Sequence, residues 1–179
     1  MRLSKEAMLH VVERFPFSHY GLLHTSDLVF LQEVRNMCAD NRCNMYNKNW
    51  GCPPACGSIE EITVKARGFT YGVILQMTGQ MEDDYDIETI LDTEKEIKEQ
   101  MLQLIEVLRE KSAECLPMAV GACTICENCT YPNEPCRFPE KVYPSMEAYG
   151  LMVNDCCKAA GLKYSYGLQT ITFSACILF

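Results

Sequence analysis

Apolar positions recur with regular spacing over most of this chain, and two stretches break the rhythm. Ala7, Met8, Val11, Val12 and Phe15 form a stripe at helical spacing that Pro16 ends. Ser4 stands where an N-cap belongs, and Leu3 and Met8 where a hydrophobic staple belongs, so residues 4–15 are predicted to be helical. Ser58-Ile59-Glu60-Glu61 is a capping-box pattern, placing a second helix from there to about Arg67, with Gly68 as its terminator. Ile90, Ile97, Met101, Leu104, Ile105 and Leu108 repeat at helical spacing across 87–111, and Glu94 and Lys98 are a favourable i,i+4 pair on that helix. Ser145, after Pro144, is placed to cap a last helix running through Tyr149, Val153, Cys156 and Ala160 to Gly161.

Phe69 to Thr78 is dense in Tyr, Val, Ile, Leu and Met, which suits a largely buried strand. Leu116–Gly121 and Gln169–Phe179 read as two more strands. The order β (69–78), α (87–111), β (116–121), α (145–160), β (169–178) predicts an α/β or ferredoxin-like α+β fold, a single sheet layered by helices. With 179 residues and 48% hydrophobic content, residues 1–179 are expected to form one domain around one core.

The two aperiodic stretches, 35–57 and 123–139, hold eight of the twelve cysteines. They also hold asparagines, Trp50 and several prolines, and read as loops. The opening residues contain no apolar run of the kind a secretory signal needs, and no window approaches the ~18 apolar residues of a membrane span. A soluble, cytoplasmic protein is therefore expected, and there thiol buffers keep ordinary cysteine pairs reduced. Metal ligation becomes the leading explanation for so many thiols.

Net charge changes the picture little. Of the −8 total, twelve acids against four bases lie between Glu82 and Glu114, and the rest of the chain is balanced at twelve of each. The acidity belongs to one surface helix, and with no basic stripe, nucleic acid is not an expected partner.

Cys123-Thr124-Ile125-Cys126-Glu127-Asn128-Cys129 is C-x2-C-x2-C, which lets three thiolates from one tight loop reach three corners of a cubane, and Cys136 can supply the fourth. Six residues separate Cys129 from Cys136, so this is not the common ferredoxin run, which has three. Zinc is the competing metal, because four thiolates also make a tetrahedral site. Three overlapping thiols favour iron.

Cys38, Cys43, Cys52 and Cys56 form a looser set that also supplies four ligands, so one or two clusters, of the [4Fe-4S] type, are expected. Pro53, Pro54, Gly51 and Gly57 suit the sharp turns such a loop needs. A helix start after Cys56, with Arg35, Arg42 and Lys48 nearby in sequence, would favour an anionic cluster. The C-x3-C-x2-C loop of radical S-adenosylmethionine enzymes is absent, since Ile59 stands where its third thiol belongs. Cys115, Cys156, Cys157 and Cys176 lack ligand spacing and read as core residues, and His10, His19 and His24 are given no ligand role. Trp50 and Tyr46 read as anchors of the first loop.

The run Cys43-Asn44-Met45-Tyr46 to Trp50-Gly51-Cys52-Pro53-Pro54, with Gly121-Ala122-Cys123, Pro135-Cys136-Arg137-Phe138-Pro139 and Ser145-Met146-Glu147-Ala148-Tyr149-Gly150, resembles a bacterial and archaeal family of predicted metal-binding proteins. The resemblance covers about residues 35–160. It implies cysteine-bound metal at Cys43, Cys52, Cys123, Cys126, Cys129 and Cys136, in organisms that are often anaerobes, and no established reaction.

Three functions follow from these readings. The first is electron transfer to a redox partner protein in anaerobic metabolism. The others are a zinc-stabilised structural or interaction module and a cluster enzyme with an open iron site. No Gly-rich phosphate loop, Ser/His/Asp motif or H-E-x-x-H helix names a substrate.

Overall fold

The structure, a computed structural model, describes residues 2–179. Its helices are α1 (Lys5–Val12), α2 (Gln32–Met37), α3 (Ile59–Arg67), α4 (Ile87–Glu110) and α5 (Val153–Ala159), and its strands are β1 (His19–His24), β2 (Tyr71–Gln80), β3 (Leu116–Met118) and β4 (Thr170–Leu178). The four strands form one sheet in the order β1-β2-β4-β3, antiparallel at every pairing. The α+β expectation is met.

The central pair, β2 and β4, runs in register from Gly72 opposite Leu178 to Gln80 opposite Thr170. Side chains on a strand alternate between faces, so this pair divides the apolar residues into two layers. Val73, Leu75, Met77, Ala175 and Ile177 face α1 and α4, packing with Met8, Val12, Ile97, Met101, Leu104 and Leu108. Ile74, Cys176 and Leu178 face the other way, toward Ile62 and Ala66 of α3, Cys156 and Cys157 of α5, and Met146, Tyr149 and Leu151.

Local signals explain most of the boundaries. The Ser4 hydroxyl accepts from the Ala7 amide at 3.2 Å and starts α1. Ser58 and Glu61 form the reciprocal capping box that starts α3. Asp86 caps α4 by accepting from the Thr89 amide. Pro117 is tolerated because β3 is an edge strand, where a missing amide leaves no gap in the ladder.

Two elements depart from expectation. Strand β1 has no alternation to announce it, because both edges of its polar ends, His19 and His24, lie outside the core. The final helix begins at Val153 rather than beside Ser145. The Ser145 hydroxyl instead caps an isolated turn, accepting from the Ala148 amide at 3.2 Å. Gly150 then adopts φ +77°, which ends that turn, and a Cβ there would meet the Leu31 carbonyl oxygen at 2.6 Å. The close approach lets Leu31 donate to the Gly150 carbonyl at 2.8 Å and Phe30 pair with Leu151.

These contacts position the cysteine loops. The chain enters α2 and the first loop from Leu31, pinned to Gly150. It leaves β3 for the second loop from Ala119, which donates to the Pro144 carbonyl at 2.9 Å. Both loops thus hang from the 144–151 turn, at one corner of the sheet.

Candidate metal centre

The first loop is wound by three asparagines. Asn41, Asn44 and Asn47 all take left-handed backbone conformations, which asparagine tolerates better than other non-glycine residues. The Asn41 carboxamide accepts from the Tyr46 amide at 3.0 Å, and the Asn47 amide donates to the Pro53 carbonyl at 2.9 Å. This winding brings Cys38, Cys43, Cys52 and Cys56 within electrostatic reach of one another. Cys52 is buried, Cys38 and Cys56 are half-buried and Cys43 is exposed.

Burial dominates the chemistry of these thiols. It pushes Cys38 up to about 11, with Glu147 and the neighbouring thiols adding to the rise. It also raises Cys52, against a hydrogen bond from Asn49, and Cys56, against the positive charge of Arg35. Arg35 Nη2 donates to Cys56 Sγ at 3.4 Å. As free thiols Cys38, Cys52 and Cys56 are protonated at neutral pH, so a metal entering the loop displaces their protons.

The second loop places Cys123, Cys126, Cys129 and Cys136 around one small hollow of about 20 Å3, shared with Asn49 and Trp50 of the first loop. Two backbone amides point at its sulfurs. Ile125 supports the Cys123 thiolate, whose thiol is nevertheless raised by burial, and Phe138 donates to Cys136 Sγ at 3.4 Å. Arg137 Nη1 donates to the Asn128 carbonyl at 2.8 Å, closing the loop across the gap between Cys129 and Cys136. Lys98 of α4, paired with Glu94 at 2.6 Å, also donates to the Ala122 carbonyl at 3.0 Å and fixes the approach to Cys123. On the far side of Cys123 and Ile125 lies a second, mostly apolar hollow walled by Met101, Val120 and Tyr143.

The two loops are joined. The Tyr131 hydroxyl donates to Asn47 Oδ1 at 2.7 Å, and its ring meets Trp50 edge-on at 5.0 Å between centroids. Gly51 lies so close to the second loop that a Cβ on it would come within 3.3 Å of the Cys123 Cβ, and Cys52 is within electrostatic reach of Cys123. Buried Asn49 holds this junction by accepting from the Gly51 amide at 2.9 Å.

The donor set suits a thiophilic metal, as Cys123, Cys126, Cys129 and Cys136 line one hollow, Cys38, Cys43, Cys52 and Cys56 lie within electrostatic reach of one another, and N–H groups are aimed at the sulfurs of Cys56, Cys123 and Cys136. The indole Nε1–H of Trp50, on the wall of the hollow lined by Cys123, Cys126, Cys129 and Cys136, is buried without a partner, which suits an acceptor lodged there. Among the described residues no three His, Cys, Asp or Glu side chains draw together around one point as they would for a single ion.

Of the eight cysteines singled out by spacing, the structure sets Cys123, Cys126, Cys129 and Cys136 around one hollow and Cys38, Cys43, Cys52 and Cys56 within electrostatic reach of one another. Cys156, Cys157 and Cys176 lie in the core on the α3 and α5 face, and Cys115 is half-buried beside the opposite core. His19 stacks on Tyr166 at 3.8 Å and His24 packs against Tyr71, both away from the cysteine loops. Trp50 anchors its loop by way of Tyr131. Asn47, Asn49 and Tyr131 carried no signal of their own, and Gly51 signalled only a turn, because their importance lies in a contact between segments some eighty residues apart.

An antiparallel α+β sheet that carries two adjoining cysteine loops is a scaffold of the cysteine-rich class. Residues 21–179 match the DUF2284 family of predicted metal-binding proteins, and the chain belongs to that family. No curated protein and no solved structure matches it. Among the described residues no helix is long and apolar enough to cross a membrane.

Proposed function

We propose that this protein is an iron–sulfur electron carrier, with one cluster on Cys123, Cys126, Cys129 and Cys136 and a second on Cys38, Cys43, Cys52 and Cys56. The observation that carries the proposal is that Cys123, Cys126, Cys129 and Cys136 line one hollow where the two loops meet. Four thiolates from one loop are the usual donor set of a [4Fe-4S] core. An iron–sulfur cluster supplies reversible one-electron transfer when bound.

The protein's own groups do the rest. The Ile125 and Phe138 amides and the Trp50 indole offer N–H groups to sulfur, which favours the more reduced, more negative state. Cys129 is exposed, giving a partner protein a short route to the site. The close approach of Gly51 to Cys123, with Cys52 in electrostatic reach of it, would place the two centres near one another.

Metal and acid-labile sulfide analysis, with a visible spectrum, on protein purified without oxygen tests this reading. Iron with sulfide and a broad visible absorption that bleaches reversibly on reduction is the expected result. Stoichiometric zinc in a colourless protein would overturn it in favour of a structural module.

A further inference from the structure

Arg35 lies on α2 with only 8% of its surface exposed. A guanidinium keeps its charge at any working pH, and burying that charge is costly unless an anion compensates it. Yet Arg35 has no carboxylate partner among the described residues, where the ion pairs are Lys95 with Glu99, Lys98 with Glu94, and Lys158 with Asp155. Glu60 feels its charge but is fully exposed at the first turn of α3. One guanidinium nitrogen, Nη2, donates to Cys56 Sγ at 3.4 Å, and the other, Nη1, is buried with no hydrogen-bond partner at all.

We infer that Arg35 is the fixed counter-charge of an anionic metal–thiolate group held by Cys38, Cys43, Cys52 and Cys56. The inference rests on the reading that these cysteines hold metal, but not on which metal. Four thiolates leave a net charge of about −2 whether they surround one zinc ion or a doubly positive cubane core. Nη2 bonds the ligating sulfur of Cys56, and Nη1 is left to a second sulfur of the same group. Because the guanidinium is a two-pronged planar donor, lysine cannot replace both bonds. Arg35 is a positioning residue, acting on the metal through the sulfurs.

The test counts metal per chain, its release to a chelator, and the melting temperature before and after metal removal. It uses the full-length protein purified without oxygen, alongside Cys52→Ala, Arg35→Lys and Arg35→Met. Cys52→Ala should lower the metal content, showing that the first loop is loaded. Arg35→Met should release first-loop metal about 10–100-fold more readily than the parent, with Arg35→Lys between the two. After metal removal the order reverses: Arg35→Met should melt about 2–4 °C above the parent, because an uncompensated buried charge has gone. Unchanged metal retention in Arg35→Met, or a lower melting temperature in both states, would show an ordinary structural arginine and overturn the inference. Full metal content in Cys52→Ala would instead mean that the first loop holds no metal, which removes the anion and the reading beneath it together.

Discussion

The two cysteine loops reach the same corner of the sheet by different means. The second is local: its first three thiols are set by the C-x2-C-x2-C spacing, its amides point back at its own sulfurs, and Cys129 stays exposed. The first is assembled by the fold, with thiols spread from the end of α2 to the start of α3, Cys52 buried and the cation Arg35 lent by a helix. The difference teaches that a metal site can be written either in spacing or in packing, and that only spacing is visible in a sequence.

The sharpest way to break this comparison is to remove one thiol from each loop. Cys126→Ala should abolish metal at the second site and Cys52→Ala at the first, each leaving the other loaded, whereas Cys176→Ala should leave total metal unchanged. Metal analysis of the three purified variants checks this, and equal content in all of them would show that the site assignments are wrong.

Acid should separate the loops next. Burial raises three thiols of the first loop, Cys38, Cys52 and Cys56, and Cys123 in the second. A raised thiol holds its proton more tightly, so protons compete better with metal there, and binding weakens as pH falls. Metal should therefore leave the first loop at a higher pH than the second. A pH titration of metal release, read in the Cys52→Ala and Cys126→Ala backgrounds, measures the two midpoints.

Smaller effects should follow from the helix that borders only the first loop. Ser58→Ala removes the capping box one residue beyond Gly57 and should cost about 1 kcal/mol of stability by denaturant unfolding. Tyr131→Phe deletes the hydroxyl that reaches Asn47 across the junction, and at that exposed site it should cost about 0.5–1 kcal/mol while leaving the metal content of both loops intact.

Much of the scaffold was legible for the same reason the second loop was. The stripe of α4, the Ser4 and Ser58 caps and the apolar runs of β2 and β4 are local patterns, and each element formed within a few residues of its expected bounds. Strand β1 and the turn at 145–150 were not legible, since one is an edge strand with weak alternation and the other is shaped by Leu31 arriving from over a hundred residues away. At the site, the cysteines could be chosen from spacing, but the junction of Asn47, Gly51 and Tyr131 could not. Arg35 stood near the first cysteines in sequence, and its burial, its bond to Cys56 and its unmatched nitrogen distinguish it from Arg42 and Lys48.

The bond from Lys98 to the Ala122 carbonyl bears on how the protein would be degraded. It ties the upstream end of the second loop to α4, whose inner face is wholly buried in the larger core layer. The downstream arm, around Glu127–Glu134, has no such tether to a helix and lies mostly exposed. Stripped of metal, the protein would offer a protease that arm first, and a nick there would leave the sheet and both its packed layers standing.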